Sequence, residues 1–396
     1  MNEVSLFAMG DFAVKNKFEC SIFSESLKSF IIGHDFKTCN FEGAILSDGE
    51  PIEKVGPHIQ QSLFGLDELR ILGFDFLSLA NNHSLDYGRL GIEKTIEEIE
   101  QRDMEWGGVG KDLNSIYELK EFELNGINFG FLSLCDSYFG SYSNFKKRIW
   151  ESAYINHEYV DEIVKDYSSK VDLLILSIHT GAEHTPLPLP EWRNRYKQLI
   201  EIGGDLILGH HPHVPQGWEK HKDGLIFYSL GNSFFYHTEF PKCHSYCVSL
   251  NFNKNGIKDF RILAIENKEN SIKIYNSRNY YEYLDTLNSI LSNKNTYQKM
   301  VNSQALWLYN KTYRNFDLSR LKSFLGYIYD NLKEGKILEI IDLKNDYKHN
   351  LRLFHYIMID SHLYAIKRAL EIKIREDKKT NKTEFDNLLS KGGYKI

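Results

Sequence analysis

Three imidazoles, His210, His211 and His213, follow the apolar run Leu206-Ile207-Leu208 and its terminal Gly209. A run of this kind, stopping at glycine and passing to histidines, reads as the C-terminal lip of a buried strand, where open α/β sheets place their ligands. Neutral imidazole is the commonest protein metal ligand, and a His-x-His spacing lets two rings reach adjacent ions or one shared ion. Four other segments end in the same way. Val4 to Met9 runs into Gly10-Asp11, and Thr38-Cys39 leads to Asn40-Phe41-Glu42-Gly43. Phe74 to Ala80 ends in Asn81-Asn82-His83, with Asp86 and Gly88 beyond, and Asp172 to Ile178 ends in His179-Thr180-Gly181-Ala182-Glu183. Singly, each ending has a structural explanation as a cap, a turn or a hydrogen-bonded core histidine. Together they supply oxygen and nitrogen donors without thiolates, a set that suits one or two divalent ions such as Mn²⁺, Fe²⁺ or Zn²⁺ rather than a structural zinc. Glu183 is a further acid, read either as a general base or substrate contact or as a loop hydrogen-bonding group.

The order of these motifs, Gly-Asp, Asn-x-Glu, Asn-Asn-His with Asp-x-Gly, His-x-Gly-x-Glu, Gly-x-His-Pro-His-Val and Ser229-Leu230-Gly231-Asn232, resembles the CapA family of bacterial capsule and poly-γ-glutamate synthesis proteins. That family is a branch of the calcineurin-like metallophosphoesterase superfamily, and the resemblance spans about residues 3 to 265. It implies a β-sandwich flanked by helices, with a dinuclear metal centre at the strand ends. In that scheme Glu42 bridges two ions, Asp11 and His213 complete one, and Asn82, His179 and His211 complete the other. His83 then matches a proton donor to the leaving group, with Asp86 orienting it. The resemblance also implies a metal-dependent hydrolase or transferase acting on a capsule, cell-wall or poly-γ-glutamate related intermediate, at a phosphoester or amide bond. The competing expectation is a non-catalytic, metal-binding accessory protein of a polymer synthase. One departure bears on both: the superfamily's Asp-x-His is replaced by Asp11-Phe12-Ala13, which takes an imidazole from one ion's ligands.

The elements that must position these residues alternate as strand and helix through about residue 265. Strands are expected over 3–9, 37–42, 74–80, 127–135, 171–179, 204–209, 224–230, 245–252 and 258–265, and helices near 59–72, 88–103, 157–168 and 190–202. This is the pattern of a layered α/β domain, taken here as 1–268, followed by an all-α region over 269–396. In that second region 318–332 and 347–374 have helical spacing, and its tyrosines (281, 283, 309, 313, 327, 329) and Trp307 read as packing groups. His349, His355 and His362 read there as core or surface histidines, because a helix turns His349 away from the other two. The Arg375–Lys379 tail reads as a solvated helix end. Thr185 to Pro190 is expected as a stiff loop walling the site, with Trp192 and Arg193 packing at the helix start that follows.

Composition sets outer limits. The chain has 396 residues, 42% of them hydrophobic, which suffices for a substantial core. Its formal net charge of −6 and lack of a basic block argue against a nucleic-acid surface. No apolar stretch approaches the roughly 20 residues of a membrane span. The first residues lack the features of a signal peptide, and the five cysteines are odd in number and scattered. These features together lead to an expectation of reduced thiols and a cytoplasmic protein. Cys243 and Cys247 flank His244 without a second pair to complete a metal clip. The expected ligand is a small molecule or a polymer-derived group, with self-association or a synthase partner reached through the C-terminal helices.

Overall fold

The computed structural model describes residues 2–138, 149–235, 243–313, 347–375 and 380–394, with backbone alone over 347–350. The strand Val4–Ala13 is the axis of the first sheet. It lies parallel to Phe36–Phe41 on one side and antiparallel to His244–Asn253 on the other, and its end also pairs with Asn232–Phe235. The sheet continues outward through Phe76–Ser78 and Glu105–Gly107, and on the other flank through Gly256–Lys268 and Ser271–Ile274. Side chains alternate along an extended strand, so Val4, Leu6 and Ala8 enter one core while Phe7, Met9 and Phe12 enter another. The second core is closed by the helices Glu25–Ile32, Leu63–Ile71 and Gly88–Glu100.

The second sheet has four parallel strands at its centre, Ile127–Cys135, Leu173–His179, Leu206–His210 and Gly224–Phe227. Antiparallel edge strands, Lys120–Leu124 and Trp218–His221, complete it. The first of these edges is joined by Asn125-Gly126, both at positive φ (53° and 73°), as a two-residue hairpin turn requires. The two sheets pack face to face. Phe36 and Phe76 of the first lie over Phe131 of the second, with ring centroids 5.4 and 4.6 Å away. With the helix Pro190–Glu201 packed outside the second sheet through Trp192, Tyr196 and Leu199, this is the α/β sandwich flanked by helices that the motif resemblance implies.

The register delivers the site. His179 pairs with His210, and Asp11 pairs with both Asn40 and Asn232. Parallel strands bring their C-terminal ends to one edge, so these residues share one lip of the sandwich. The pairing of Val4–Ala13 slips around Gly10 and Asp11, and such a bulge re-aims the following side chain. Gly10 is required there, since a Cβ would sit 1.8 Å from the Gly231 carbonyl oxygen.

Beyond residue 277 the described chain is helical: Arg278–Ser292, Lys294–Leu308, a π-helical turn Tyr309–Tyr313, Tyr347–Met358, Asp360–Ile374 and Lys382–Lys391. Tyr283, Leu284, Leu287, Val301, Ala305, Ala365, Phe385 and Leu389 belong to the same continuous core as Phe131 and Leu208. The 185–190 segment is clamped beneath these helices. Gln304 bonds both the N–H and the carbonyl of Leu187, and the Tyr297 hydroxyl donates to Pro188. That loop, expected to wall the site, is therefore a seam between the sandwich and the helices. Trp192 is buried and donates to Ser361, and Arg193 forks onto Glu219, so both serve packing.

Several elements differ from the sequence expectations. The strand Ser271–Ile274 extends the first sheet past residue 268, after a turn at Glu269-Asn270 with both φ values positive. The helix Glu25–Ile32 and the strands Glu105–Gly107, Lys120–Leu124, Trp218–His221 and Asn232–Phe235 are additional. The expected 347–374 helix breaks at Ile359. The 318–332 segment with Tyr327 and Tyr329, the side chain of His349, and Glu376–Lys379 lie outside the described residues. None of the five cysteines forms a disulfide, and among the described residues no helix is long and apolar enough to cross a membrane.

Candidate metal centre

Six side chains read from the sequence as ligands converge at the shared lip, all but Asn82 of them buried. They fall into two groups around Glu42. On one side the His213 Nδ1 lies 3.4 Å from Asp11 Oδ2. On the other, His179 Nε2 lies 2.8 Å from Asn82 Oδ1 and 3.1 Å from His211 Nδ1. Glu42 Oε1 sits between them, 3.8 Å from His213 Nε2 and 3.9 Å from His179 Nε2, and His83 Nε2 approaches it to 3.8 Å. These separations are too long for hydrogen bonds, and Glu42 Oε1 is buried without a hydrogen-bond partner.

Electrostatics point the same way. Burial raises the Glu42 carboxyl well above the ordinary carboxylate range, and the Asp11 charge adds to the effect. Asp11 is held well below that range despite its burial, because His210 and His213 bond to it. Against burial, Glu42 and Asp11 raise His213 to about 9, whereas burial takes His211 down to about 3 and His179 well below 6.5. Two buried carboxylates among five imidazoles turn their donor atoms toward one another, and a cation among them would favour the charged form of Glu42 that burial opposes. Donor atoms of Asp11, Glu42 and His179 lie within 4.8 Å of one another. The residues therefore fit divalent ions. His211 and His213 adopt φ of 94° and 60°, in the left-handed region that non-glycine residues avoid, a strain of about 1–3 kcal/mol each that concentrates at functional sites.

His83 and Asp86 stand beside this cluster. His83 Nδ1 is 2.7 Å from Asp86 Oδ2, and Asp86 also accepts the N–H of Ile59. Lys54, a residue the sequence reading passed over, pairs with Asp86, approaches His83 Nδ1 to 3.1 Å and donates to the Asn82 carbonyl. Burial and Lys54 push His83 down to about 4, against the pull of Asp86. Glu183 lies outside the ligand cluster, with its side chain 49% exposed. Although desolvation raises its carboxyl, His184, His211, His213 and His362 hold it below the carboxylate range.

Other supporting residues carried little sequence signal. Asn40 donates to Asp11 Oδ1 at 2.8 Å and reaches Glu42 and His179, while Asn81 bonds Asn40, the Phe41 carbonyl and the His83 N–H. His210 faces Asp11 Oδ1 at 3.4 Å. Tyr138 packs against His179 and His211. The two asparagines sat inside the quoted motifs, so strand-end position alone could have flagged them. Lys54 lies in a loop without periodicity, and nothing in its local sequence marks it.

A cavity of about 240 Å³ opens beside the centre, lined by Lys54, His83, Glu183 and His211 and, from the C-terminal helices, by His355 and His362. His355 and His362, read from the sequence as core or surface histidines, are partly buried and stand at this cavity wall. Ile359 breaks the helix between them, and their rings meet with centroids 4.8 Å apart at the cavity wall.

The family model described as bacterial capsule synthesis protein PGA_cap matches residues 5–237. The capsule biosynthesis protein CapA of Bacillus anthracis is 26% identical over 266 residues, covering 66% of this chain and 65% of the relative. The PGA biosynthesis protein CapA of Bacillus subtilis (strain 168) is 27% identical over 210 residues, covering 53% and 55%. The chain thus spans between about half and two-thirds of the length of these relatives. A putative 5′-nucleotidase structure from Staphylococcus aureus aligns over 73% of this chain and 58% of its own, with 13% identity and a TM-score of 0.43.

Proposed function

Because the chain belongs to the bacterial capsule synthesis protein family PGA_cap, whose model covers more than half of it, we propose that it is a metal-dependent hydrolase or transferase acting on a capsule, cell-wall or poly-γ-glutamate related intermediate. The observation that carries this reading is Glu42 Oε1, buried, unpartnered and ringed by three imidazole nitrogens at 3.8–3.9 Å. Asp11 and His213 would hold one ion, Asn82, His179 and His211 the other, and Glu42 both. When bound, such ions polarise a phosphoryl or carbonyl group and make water nucleophilic near neutral pH.

The chain's own groups do the rest. His83 presents Nε2 toward the centre while Asp86 fixes its other nitrogen, the arrangement of a proton donor to a leaving-group oxygen or nitrogen. An anionic group brought against Nε2 favours the protonated ring, offsetting the burial and the Lys54 charge that keep it neutral in the resting protein. Asn40 and the His211 backbone N–H hold Asp11 in place, and Tyr138 packs over the imidazoles. Glu183, at the cavity mouth, contacts substrate.

The test is turnover of phosphoesters and γ-glutamyl amides by Mn²⁺-loaded protein. His83→Asn is expected to keep its metal and slow cleavage of a poor leaving group by about a hundredfold or more. A nitrophenolate leaving group should be affected far less. A second reading, a non-catalytic accessory of a polymer synthase, draws on Ala13, which is buried and apolar where an imidazole ligand would stand. Metal-loaded wild type inert on both substrate classes would favour it.

A further inference from the structure

We propose that the C-terminal helices complete the substrate cavity, and that His355 and His362 select for a compact hydroxyl- or amino-bearing group attached to the reacting centre. The inference rests on the metal-site reading above and extends it to the part of the substrate away from the scissile bond. The family model stops at residue 237, yet the wall facing His83 and Lys54 is made by Thr312, His355, Tyr356, Ile359 and His362.

That wall is built. Ser361, adjoining His362, accepts hydrogen bonds from the Gly181 N–H and the Trp192 indole and donates to Asp136. Asp360 accepts from Tyr154 and Asn156, and Ser137 donates to the Met358 carbonyl. These bonds tie the helix start to the same strand ends that carry the metal cluster, fixing His362 relative to the centre. Tyr313 meets His362 Nδ1 at 2.5 Å, which leaves Nε2 as the ring nitrogen available to a ligand.

The chemistry of the lining names the ligand class. Lys54 is already paired with Asp86, so its charge is spent within the protein. Burial holds His355 and His362 at about 3 and 4, leaving both rings neutral, so that His362 Nε2 meets a ligand as a hydrogen-bond donor or acceptor according to its tautomer rather than as a cation. The carboxylate of Glu183 is half exposed at the mouth, where it repels a second carboxylate and attracts hydroxyl or ammonium protons. A space of about 240 Å³ is small for a ligand pocket and admits one group the size of a sugar or an amino alcohol.

The test is equilibrium binding, which needs no turnover. Full-length Mn²⁺-loaded protein is titrated calorimetrically with inorganic phosphate, glycerol 1-phosphate, phosphoethanolamine and 3-phosphoglycerate. Glycerol phosphate and phosphoethanolamine should bind at least about tenfold more tightly than phosphoglycerate. His355→Gln/His362→Gln should lose the gain over inorganic phosphate while binding phosphate and metal as before. Glu183→Gln should bring phosphoglycerate toward the others. Equal affinities in the wild type, a preference that survives in the double variant, or no binding of any probe would overturn the proposal. Selective binding without hydrolysis would leave it standing while refuting the catalytic reading, and hydrolysis without selectivity would do the reverse.

Discussion

Glu42 is the residue on which the site depends, because a buried carboxylate oxygen without a partner is costly unless a cation completes it. Removing ligands around it should therefore be read in metal content before activity. His179→Ala and His211→Ala are expected to lower Mn²⁺ occupancy, measured by elemental analysis after dialysis, whereas His362→Ala should not. Equal occupancy in all three would show that the imidazoles are not ligands. Such residues were legible in the sequence because strand ends expose their chemistry in a short window. Asn81-Asn82-His83 and His210-His211-Pro212-His213 each put donors directly after an apolar run. Lys54 and His362 were not legible, since each reaches the site across a long loop or from another layer, and nothing local distinguishes a lysine or histidine that does so.

At the scale of elements, the long central strands were read closely because burial on both faces makes them continuous apolar runs. Ile127–Cys135 and Leu173–His179 are examples. Edge strands such as Lys120–Leu124 alternate exposed and partly buried residues and offered no such run, and the two-residue turn beside them fixes their pairing instead. The docking of Asp360–Ile374 was illegible, as it depends on one buried serine. Ser361→Ala leaves Asp136, Gly181 and Trp192 without a shared partner and should destabilise the fold by about 1–3 kcal/mol, read from urea unfolding. An unchanged midpoint would mean that the helix is held by its apolar face alone. Ending the chain at Asn276 should be far more damaging, because Tyr283, Leu287, Val301 and Ala365 share the core of the sandwich. Aggregation of that fragment is the expected result, and a soluble fragment with full-length melting behaviour would contradict it.

For the whole molecule, the buried imidazoles couple folding to pH. His83, His211, His355 and His362 sit at about 3 to 4, below the unfolded value of about 6.5. Their contribution is complete above pH 6.5 and is lost as pH falls through the folded values, since the unfolded chain takes up protons first. Asp136, raised to about 7 by burial and by Asp360, acts oppositely, its contribution being present at low pH and lost as pH rises toward 7. His179 is lowered as well and Glu42 raised, so the lowered imidazoles still outnumber the raised carboxyls; the Tm of metal-free protein should fall between pH 7 and pH 5, and a flat or rising Tm would refute the burial of these rings. His355→Gln/His362→Gln should flatten the fall. The central claim, that five strand ends from two sheets build one dinuclear site, is tested most directly by anomalous diffraction from crystals of the full chain grown with Mn²⁺. The account predicts two peaks about 3.5–4 Å apart, one on either side of Glu42, the first beside Asp11 and His213 and the second beside Asn82, His179 and His211. Well-ordered electron density for these side chains with no anomalous peak among them would contradict it.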